Sequence, residues 1–388
     1  MHLAARATAD GTPNALAVAR AELRDAGVEV LDLTDSNPTR HGLTHPAVLA
    51  AVQRATPLAG RYRPDPHGPV AAREALAARF GGSPDDYLLT ASTSEAYGWL
   101  LTLLADPGQA VAVPAPGYPL VEPLARLAAV RTTAYPVTYL HPYGWSTDTM
   151  ALARVAARDD VRGIVVVNPG NPTGAYLAYD ERGPVVEAAR RGDVAIISDE
   201  VFGPFHLDAP ARRTLAGEER VLTFTLDGLS KLLCAPQLKL GWIRVSGPHS
   251  EVAAAMAALE TIADTYLSVG APVAGALPEL LTLADEAVAA TRDRLVANLT
   301  TARALLDDGG WRVRRCDGGW TVLVDVPRWR PDDELTLHLL RDAHLAVHPG
   351  WFYDLPTPGA LALSLLPEPE AFADGCRRLR AAVDALGA

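Results

Sequence analysis

The chain has 388 residues, of which 49% are hydrophobic and 21% are charged, as is typical of a soluble globular protein with two domains or one large domain and a smaller one. Its formal net charge of -11 argues against a nucleic-acid partner, because a protein that holds phosphate backbones usually presents a basic face. The three cysteines are widely and irregularly spaced, which fits neither a disulfide framework nor a zinc site, so we expect no bound metal and a reducing, cytoplasmic location.

The first residues, MHLAARATADGTPNALAVARAEL, contain no apolar core of the length found in signal peptides. Asp10 and Glu22 argue against a transit peptide. No segment approaches the ~18 uninterrupted apolar residues that a membrane helix requires. We therefore expect no membrane partner.

Short apolar runs predict β-strands through the first two thirds of the chain. In chain order they are LLT at 88–90, AVAVPA at 110–115, GIVVVNPG at 163–170, VAIISDE at 194–200, VLTFTLDG at 221–228 and WIRVSG at 242–247. Helical stretches such as 151–158 and 184–191 lie between them. Strands that alternate with helices predict an α/β fold with a mostly parallel sheet covered by helices on both faces.

The pattern changes after Gly247. Helical periodicity continues over about 251–306 and is followed by two strand candidates, WTVLVDVP at 320–327 and LALSLL at 361–366. These features predict a second, smaller α+β domain joined by a long helix. We assign residues 45–285 to the large domain and residues 1–44 and 286–388 to the small one. The assignment of residues 1–44 rests only on their position in the chain.

Lys231 lies in an unusual setting, the run LDGLSKLLCAPQLKLGW at 226–242. Apart from Lys231 itself, this run has no charge between Asp227 and Lys239. A lysine that cannot reach water either lowers its pKa or forms a bond, so Lys231 is a candidate for imine chemistry. The alternative is a structural lysine whose stem is buried while its ammonium reaches solvent.

Polar residues follow several of the predicted strands, where ligands gather in parallel sheets. Ser92 is a predicted helix N-cap with Glu95 completing a capping box, and the amides and hydroxyls of Thr93 and Ser94 could bind an anion. A plain helix cap explains the same residues. Asn171 follows the next strand end in NPGNPTG, where turn chemistry is the alternative.

Asp199 ends the apolar run AIISD, where a carboxylate is costly without a partner. A cap on the following loop is the alternative. An anion cradle, an amide, a buried carboxylate and a lysine at successive strand ends form a combination that is more specific than any of its parts. Pyridoxal 5'-phosphate (PLP) needs this set: a lysine for the Schiff base, an acid at the pyridine nitrogen, a donor to the ring oxygen and a phosphate cradle.

With these motifs the sequence resembles the fold-type I PLP enzymes of the class I/II aminotransferase family, from SNPT near Ser36 to LALSLL near Ser364. NPGNPTG, SDEV and GLSK are highly specific in this order. The resemblance implies the PLP-dependent transferase fold type I, with Lys231 as Schiff-base lysine and catalytic acid and base and Asp199 paired with the pyridine nitrogen. Asn171 would donate to the ring oxygen. Phosphate would be held by Thr93, Ser94 and Ser230.

The resemblance also implies two aromatic contacts. Tyr118 in PAPGYPL matches the aromatic residue that stacks on the cofactor ring. Tyr62 in RYRPDPHG resembles the tyrosine that reaches the phosphate of the neighbouring subunit, although Arg63 competes for this assignment. A shared active site of this kind implies a homodimer.

Three positions depart from the family pattern. Lys239 stands where an arginine usually contacts the phosphate, and a lysine lacks the bidentate fork. Phe202 replaces a tyrosine and so removes a hydroxyl donor. Ala362 stands where an arginine usually binds the substrate α-carboxylate and so aligns the bond that breaks in transamination.

Other residues could compensate for the missing arginine. Candidate substitutes are Arg40, Arg61 and Arg63, although the pattern favours a solvated or structural role for each of them. His348 and the aromatic residues that follow it, Trp351, Phe352 and Tyr353, could line the substrate mouth or pack in the core.

The sequence therefore predicts a dimeric, cytoplasmic PLP-dependent aminotransferase that acts on a small-molecule amino acid or amino-acid conjugate. Because Ala362 and Phe202 depart from the family, the alternative is an atypical PLP enzyme on the same fold: a carbon-sulfur β-lyase or a decarboxylating or oxidative deaminase. A non-catalytic ligand sensor is a third possibility. It is disfavoured because Lys231, Asp199 and Asn171 are retained and because we expect no DNA-binding module before Ser36.

Overall fold

A computed structural model of the chain describes residues 2–8, 13–208 and 214–387. The strands are β1 (Leu31–Asp32), β2 (Tyr87–Thr90), β3 (Ala110–Ala115), β4 (Arg131–Leu140), β5 (Gly144–Thr147), β6 (Val161–Val167), β7 (Ala195–Asp199), β8 (Thr223–Gly228), β9 (Gly241–Ser246), β10 (Arg312–Val313), β11 (Thr321–Asp325), β12 (Leu345–Ala346), β13 (His348–Pro349) and β14 (Ala360–Ser364). The helices are α1 (Ala15–Asp25), α2 (Ala47–Ala55), α3 (Val70–Phe80), α4 (Thr93–Leu104), α5 (Val121–Leu127), α6 (Thr149–Ala156), α7 (Tyr179–Gly192), α8 (Leu229–Leu232), α9 (His249–Tyr266), α10 (Ala271–Thr282), α11 (Ala284–Leu306), α12 (Asp332–Asp342) and α13 (Pro369–Asp384).

The central sheet has eight strands in the order β2-β9-β8-β7-β6-β3-β4-β5. β3, β4, β6, β7 and β8 run parallel to one another, whereas β9 is antiparallel to both of its neighbours and β5 is antiparallel to β4. The predicted α/β fold with a mostly parallel sheet is confirmed.

The two faces of the sheet explain why its strands read as continuous apolar runs. Along β6, Ile164 and Val166 pack with α6 and α7, while Val165 packs on the opposite face with α4, α5 and α9. Alternate residues of one strand therefore enter two separate cores, so neither face can be polar.

A smaller antiparallel sheet follows in the order β10-β11-β14-β13, and α11 and α13 pack against its core. β1 pairs in parallel with β12, joining Leu31 to Leu345, and α1 packs beside α12. These contacts support grouping the N-terminal residues with the small domain. The proposed boundaries near residues 45 and 285 stay predictions.

The region predicted to have helical periodicity, about 251–306, is helical but is divided into three helices. The region forms α9, α10 and α11, because Leu267 leaves the helix in a left-handed conformation with φ of 50° and Gly270 then precedes a new helix with a proline in its first turn. The sequence analysis also missed the hairpin of β4 and β5, because most residues of β4 are exposed or half-buried and give no apolar run.

Within the described residues, no helix is both long and apolar enough to cross a membrane. The same part of the chain holds no cluster of His, Cys, Asp or Glu side chains arranged to bind a metal ion. Cys234, Cys316 and Cys376 are buried free thiols.

Candidate active site

A cavity of about 520 Å³ lies where the carboxyl ends of β6, β7 and β8 meet the small antiparallel sheet. Eight of the nine predicted site residues line it: Thr93, Ser94, Tyr118, Asn171, Asp199, Ser230, Lys231 and Lys239. The small sheet contributes His348, Ala362 and Ser364 to the same wall. Residues that are far apart in sequence thus share one enclosed space.

Lys231 lies in α8, the single helical turn that begins directly after β8. Its Nζ lies 4.8 Å from the ring centroid of Trp320 and 5.3 Å from that of Phe202. Burial lowers the pKa of Lys231, and the nearby Cys234 and Asp199 act in the opposite direction. Burial therefore favours the neutral amine, which is the form that attacks a carbonyl carbon.

Asp199 is the last residue of β7, and its side chain is buried. Oδ1 accepts a hydrogen bond of 3.2 Å from the Val201 amide, and Oδ2 accepts one of 3.1 Å from the Tyr97 hydroxyl. Burial raises the pKa of Asp199 to about 6, although both hydrogen bonds and the charge of Lys231 lower it. A cationic partner in the cavity would favour its ionised form.

Tyr97 was missed by the sequence analysis. It lies on α4 and is fully buried, and burial together with the charge of Asp199 raises its pKa well above the usual range. The hydroxyl therefore stays protonated and donates to Asp199. The one available signal was a tyrosine in an apolar helix face, since a buried tyrosine hydroxyl usually needs a partner.

The N-terminus of α4 differs in one respect from the prediction. Ser92 caps the helix, with its Oγ accepting from the Glu95 amide at 3.2 Å. The Glu95 carboxylate accepts from the Ala91 amide at 2.7 Å and from the Ser268 hydroxyl, so the predicted reciprocal bond to the Ser92 amide does not form. Thr93 and Ser94 begin the helix beside the cavity, where first-turn amides can bind an anion.

The residues present fit PLP. The carboxamide oxygen of Asn171 is buried and has no hydrogen-bond partner within the described residues. Because the two ends of a carboxamide exchange on rotation, this group can present its NH2 to a ring oxygen. The amine of Lys231, the carboxylate of Asp199 and the helix N-terminus face the same cavity, and together they match the aldehyde, ring nitrogen and phosphate of the cofactor.

Tyr118 and Lys239 lie at the margin of the cavity. The Tyr118 side chain is half-exposed, with its ring centroid 6.5 Å from that of Tyr353. Lys239 is exposed and adopts a left-handed conformation with φ of 55°. Both side chains therefore line the part of the cavity that opens to solvent.

Tyr62 is the one predicted site residue outside the cavity. Its side chain is 79% exposed, and it lines a neighbouring depression together with Arg61 and Arg63. In the single chain it does not line the cavity that Lys231 lines.

No arginine lines the cavity within the described part of the chain. Ala362, at the position where the resemblance to the family implies an arginine, is buried in the wall. Arg40 lies in an adjoining polar depression that Arg20 and Lys231 also line, and it pairs there with Asp35 at 3.2 Å. Since Arg61 and Arg63 lie beside Tyr62, none of the three candidate substitutes lies in the cavity wall.

Comparisons with known proteins show the family of the chain. Residues 28–378 match the sequence profile of the family Aminotransferase class I and II, and the chain belongs to this family. It is similar to an alanine aminotransferase of Mycobacterium tuberculosis, with 27% identity over 95% of this chain and 87% of the relative. It is also similar to the glutamate-pyruvate aminotransferase AlaA of Escherichia coli, with 28% identity over 79% of this chain and 73% of the relative.

The fold has solved counterparts. An alanine aminotransferase from Pyrococcus furiosus superposes with a TM-score of 0.89 at 22% identity, covering 99% of this chain and 100% of the other. The chain is thus a PLP-dependent aminotransferase of the class I/II family with the fold-type I architecture. These comparisons favour amino-group transfer over the lyase and deaminase alternatives.

Proposed function

We propose that the enzyme transfers an amino group between a small amino acid and a 2-oxo acid, with Lys231 as the Schiff-base lysine and as the base that moves the substrate proton. The observation that carries this proposal is the position of the Lys231 amine, which shares one cavity with the buried carboxylate of Asp199 and the N-terminus of α4. When bound, PLP supplies an electron sink for the bond broken at the substrate carbon.

The residues of the chain would bind the cofactor and keep its ring nitrogen protonated. Asp199 would hold a protonated ring nitrogen through Oδ1 or Oδ2, and Tyr97 keeps its carboxylate directed by a hydrogen bond. Thr93, Ser94 and Ser230 would bind the phosphate, with Lys239 adding charge at the outer side. Asn171 would donate to the ring oxygen, and Tyr118 would cover one face of the ring.

Lys231 would act as the proton carrier. Its amine lies beside the rings of Phe202 and Trp320, and burial lowers its pKa, so a neutral Nζ would be available to accept the proton from the substrate carbon. The same Nζ, once protonated, would also be the group that gives the proton back.

The donors named for the similar proteins, alanine and glutamate, are the first candidates for the amino donor. The exposed Tyr62 supports a homodimer in which each subunit completes the site of the other. A cytoplasmic location stays a prediction.

The identity of the reactive lysine can be tested chemically, because the chain contains two lysines, Lys231 and Lys239. Borohydride reduction of the holoenzyme followed by peptide mass analysis should place the pyridoxyl group on Lys231. The Lys231→Ala variant should lose the label, the visible absorption of bound PLP and about 10³-fold or more of its activity with alanine and glutamate.

Lys239→Arg is the matched control. It removes the other lysine but retains the positive charge, so it should keep the label and the visible absorption. A label on Lys239, or a Lys231→Ala variant with unchanged single-turnover conversion of amino acid to 2-oxo acid, would contradict the proposal.

A further inference from the structure

β13 and β14 place His348 directly beside Ala362. The two strands are antiparallel, and their register pairs His348 with Ala362 and Pro349 with Leu361. Directly opposed residues point to the same face, with their Cβ atoms about 5 Å apart. Both residues line the cavity, so the imidazole lies next to the space that the small side chain of Ala362 leaves.

The His348 ring is held by other aromatic rings. It stacks on Phe352 with centroids 4.6 Å apart and planes within 10°, and it meets Tyr353 edge-on at 5.8 Å. Neither ring nitrogen makes a hydrogen bond within the described ranges of the chain. The ring is therefore oriented by packing while its nitrogens remain available to a ligand.

The titratable groups around His348 determine its charge. Asp32 on β1 favours the protonated ring and Arg20 on α1 opposes it, while Tyr353 contacts the ring and Lys231 shares the cavity. Burial is the largest effect and lowers the pKa of His348. Without a ligand the ring is neutral at neutral pH, and an anion placed against it would favour protonation.

A substrate carboxylate in this cavity needs a donor, because an unpaired buried charge is costly. The proposed function uses Lys231 for the cofactor and Lys239 for its phosphate, and the described wall contains no arginine. His348 is the remaining basic side chain in that wall. Arg20 and Arg40 line the adjoining depression together with Lys231, but they already pair with Asp32 and Asp35. We propose that His348 binds the acidic group of the substrate, in the place an arginine at position 362 would otherwise serve. This inference rests on the proposed function.

The proposal has a specific consequence. Because the neutral imidazole gains a proton when a carboxylate binds, binding of an acid should be accompanied by proton uptake and should weaken as pH rises. A guanidinium would show neither effect, since it stays charged throughout this range.

The experiment uses the PLP-loaded holoenzyme and two ligands of the same shape, 3-phenylpropionate and 3-phenylpropionamide. Calorimetry in buffers with different ionisation enthalpies should show proton uptake for the acid only. Its affinity should be about tenfold weaker near pH 8 than near pH 6, whereas the affinity of the amide should stay constant.

Three variants separate binding from folding. His348→Gln keeps a neutral donor, so it should abolish the proton uptake and raise KM for the amino acid about tenfold while the visible absorption of PLP stays unchanged. Ala362→Arg in the His348→Gln background should restore binding of the acid without proton uptake. His338→Gln alters a histidine of α12 that does not line the cavity and should behave as the unmodified enzyme.

Two results would overturn the inference: binding of the acid that is the same in the unmodified and His348→Gln enzymes, or stronger binding of the amide than of the acid. If the enzyme converts amino acids but the His348 variants bind the acid unchanged, the proposed transamination is supported and the proposed role of His348 is contradicted. If Lys231 takes no label and no amino acid is converted, the proposed function falls, and the absence of proton-linked acid binding would then overturn the inference separately.

Discussion

At the scale of single residues, the site is built on a carboxylate that is unfavourable without its ligand. Asp199 is buried and receives two neutral hydrogen bonds, which do not fully offset the loss of water. Its pKa is about 6 in the folded chain, compared with an ordinary value of 3.8. The ligand-free protein therefore favours a protonated Asp199, and a cationic ring nitrogen would reverse this preference.

This shift predicts a pH dependence of stability for the cofactor-free protein. A carboxyl group whose folded pKa is raised contributes stability that is fully present below pH 3.8 and is lost as pH rises through about 6. Relative to Asp199→Asn, the free energy of unfolding should fall by about 3 kcal/mol across this window. Chemical denaturation of both proteins at several pH values measures the difference.

Tyr97→Phe provides a second variant for the same measurement. It removes a hydrogen bond that favours the ionised carboxylate, so the loss of stability should extend to a higher pH. Adding PLP should reduce the loss in the unmodified protein. Parallel stability curves for the unmodified and Asp199→Asn proteins would show that Asp199 does not titrate in this window.

The sequence points to individual residues of the cavity where a charge interrupts an apolar run. Lys231 and Asp199 stand out for this reason, and both line the cavity. Tyr97 and Trp320 do not stand out, because aromatic residues among apolar neighbours resemble ordinary core. The pairing of His348 with Ala362 depends on the register of two strands, one of them only two residues long, which no local pattern specifies.

At the scale of elements, Glu95 joins the start of α4 to the loop before α10. Its carboxylate accepts from the Ala91 amide and from the Ser268 hydroxyl, and a negative charge in the first turn also suits the helix dipole. This contact fixes the helix N-terminus that is proposed to hold the phosphate.

We expect Glu95→Ala to lower the free energy of unfolding by about 2 to 3 kcal/mol, because it leaves a partly buried amide and hydroxyl without a partner. Glu95→Gln is the matched control. The carboxamide oxygen of this variant can still accept from the Ala91 amide, so its free energy of unfolding should fall by about half as much as that of Glu95→Ala. Urea denaturation measures both, and equal stability of all three proteins would show that the contact is not formed in solution.

Strands were predictable from the sequence where both of their faces are buried. Helix ends were not predictable where a single backbone conformation interrupts the helical periodicity. The runs that became β3, β6, β7 and β8 are apolar because two cores need them. The breaks between α9, α10 and α11 depend on single backbone conformations such as that of Leu267. Helical periodicity alone does not show them.

At the scale of the whole molecule, the cavity forms because the small sheet packs over the strand ends of the large one. The single chain leaves Tyr62 outside this cavity and largely exposed. The proposed homodimer would bring Tyr62 to the neighbouring site, which would account for its exposure in the single chain. In that arrangement each site depends on residues from two chains, which can be tested by mixing two inactive variants.

We expect Lys231→Ala and Tyr62→Ala each to have little activity alone. In a mixed dimer, the site that keeps Lys231 receives Tyr62 from the Lys231→Ala subunit and is fully restored. After unfolding and refolding the two variants together in equal amounts, about one quarter of the unmodified activity should return, because half of the dimers are mixed and half of their sites are intact. Refolding each variant alone is the control. Sedimentation should show a dimer throughout. No recovery in the refolded mixture would mean that Tyr62 acts within its own chain, and full activity of Tyr62→Ala alone would mean that Tyr62 is not needed by either site.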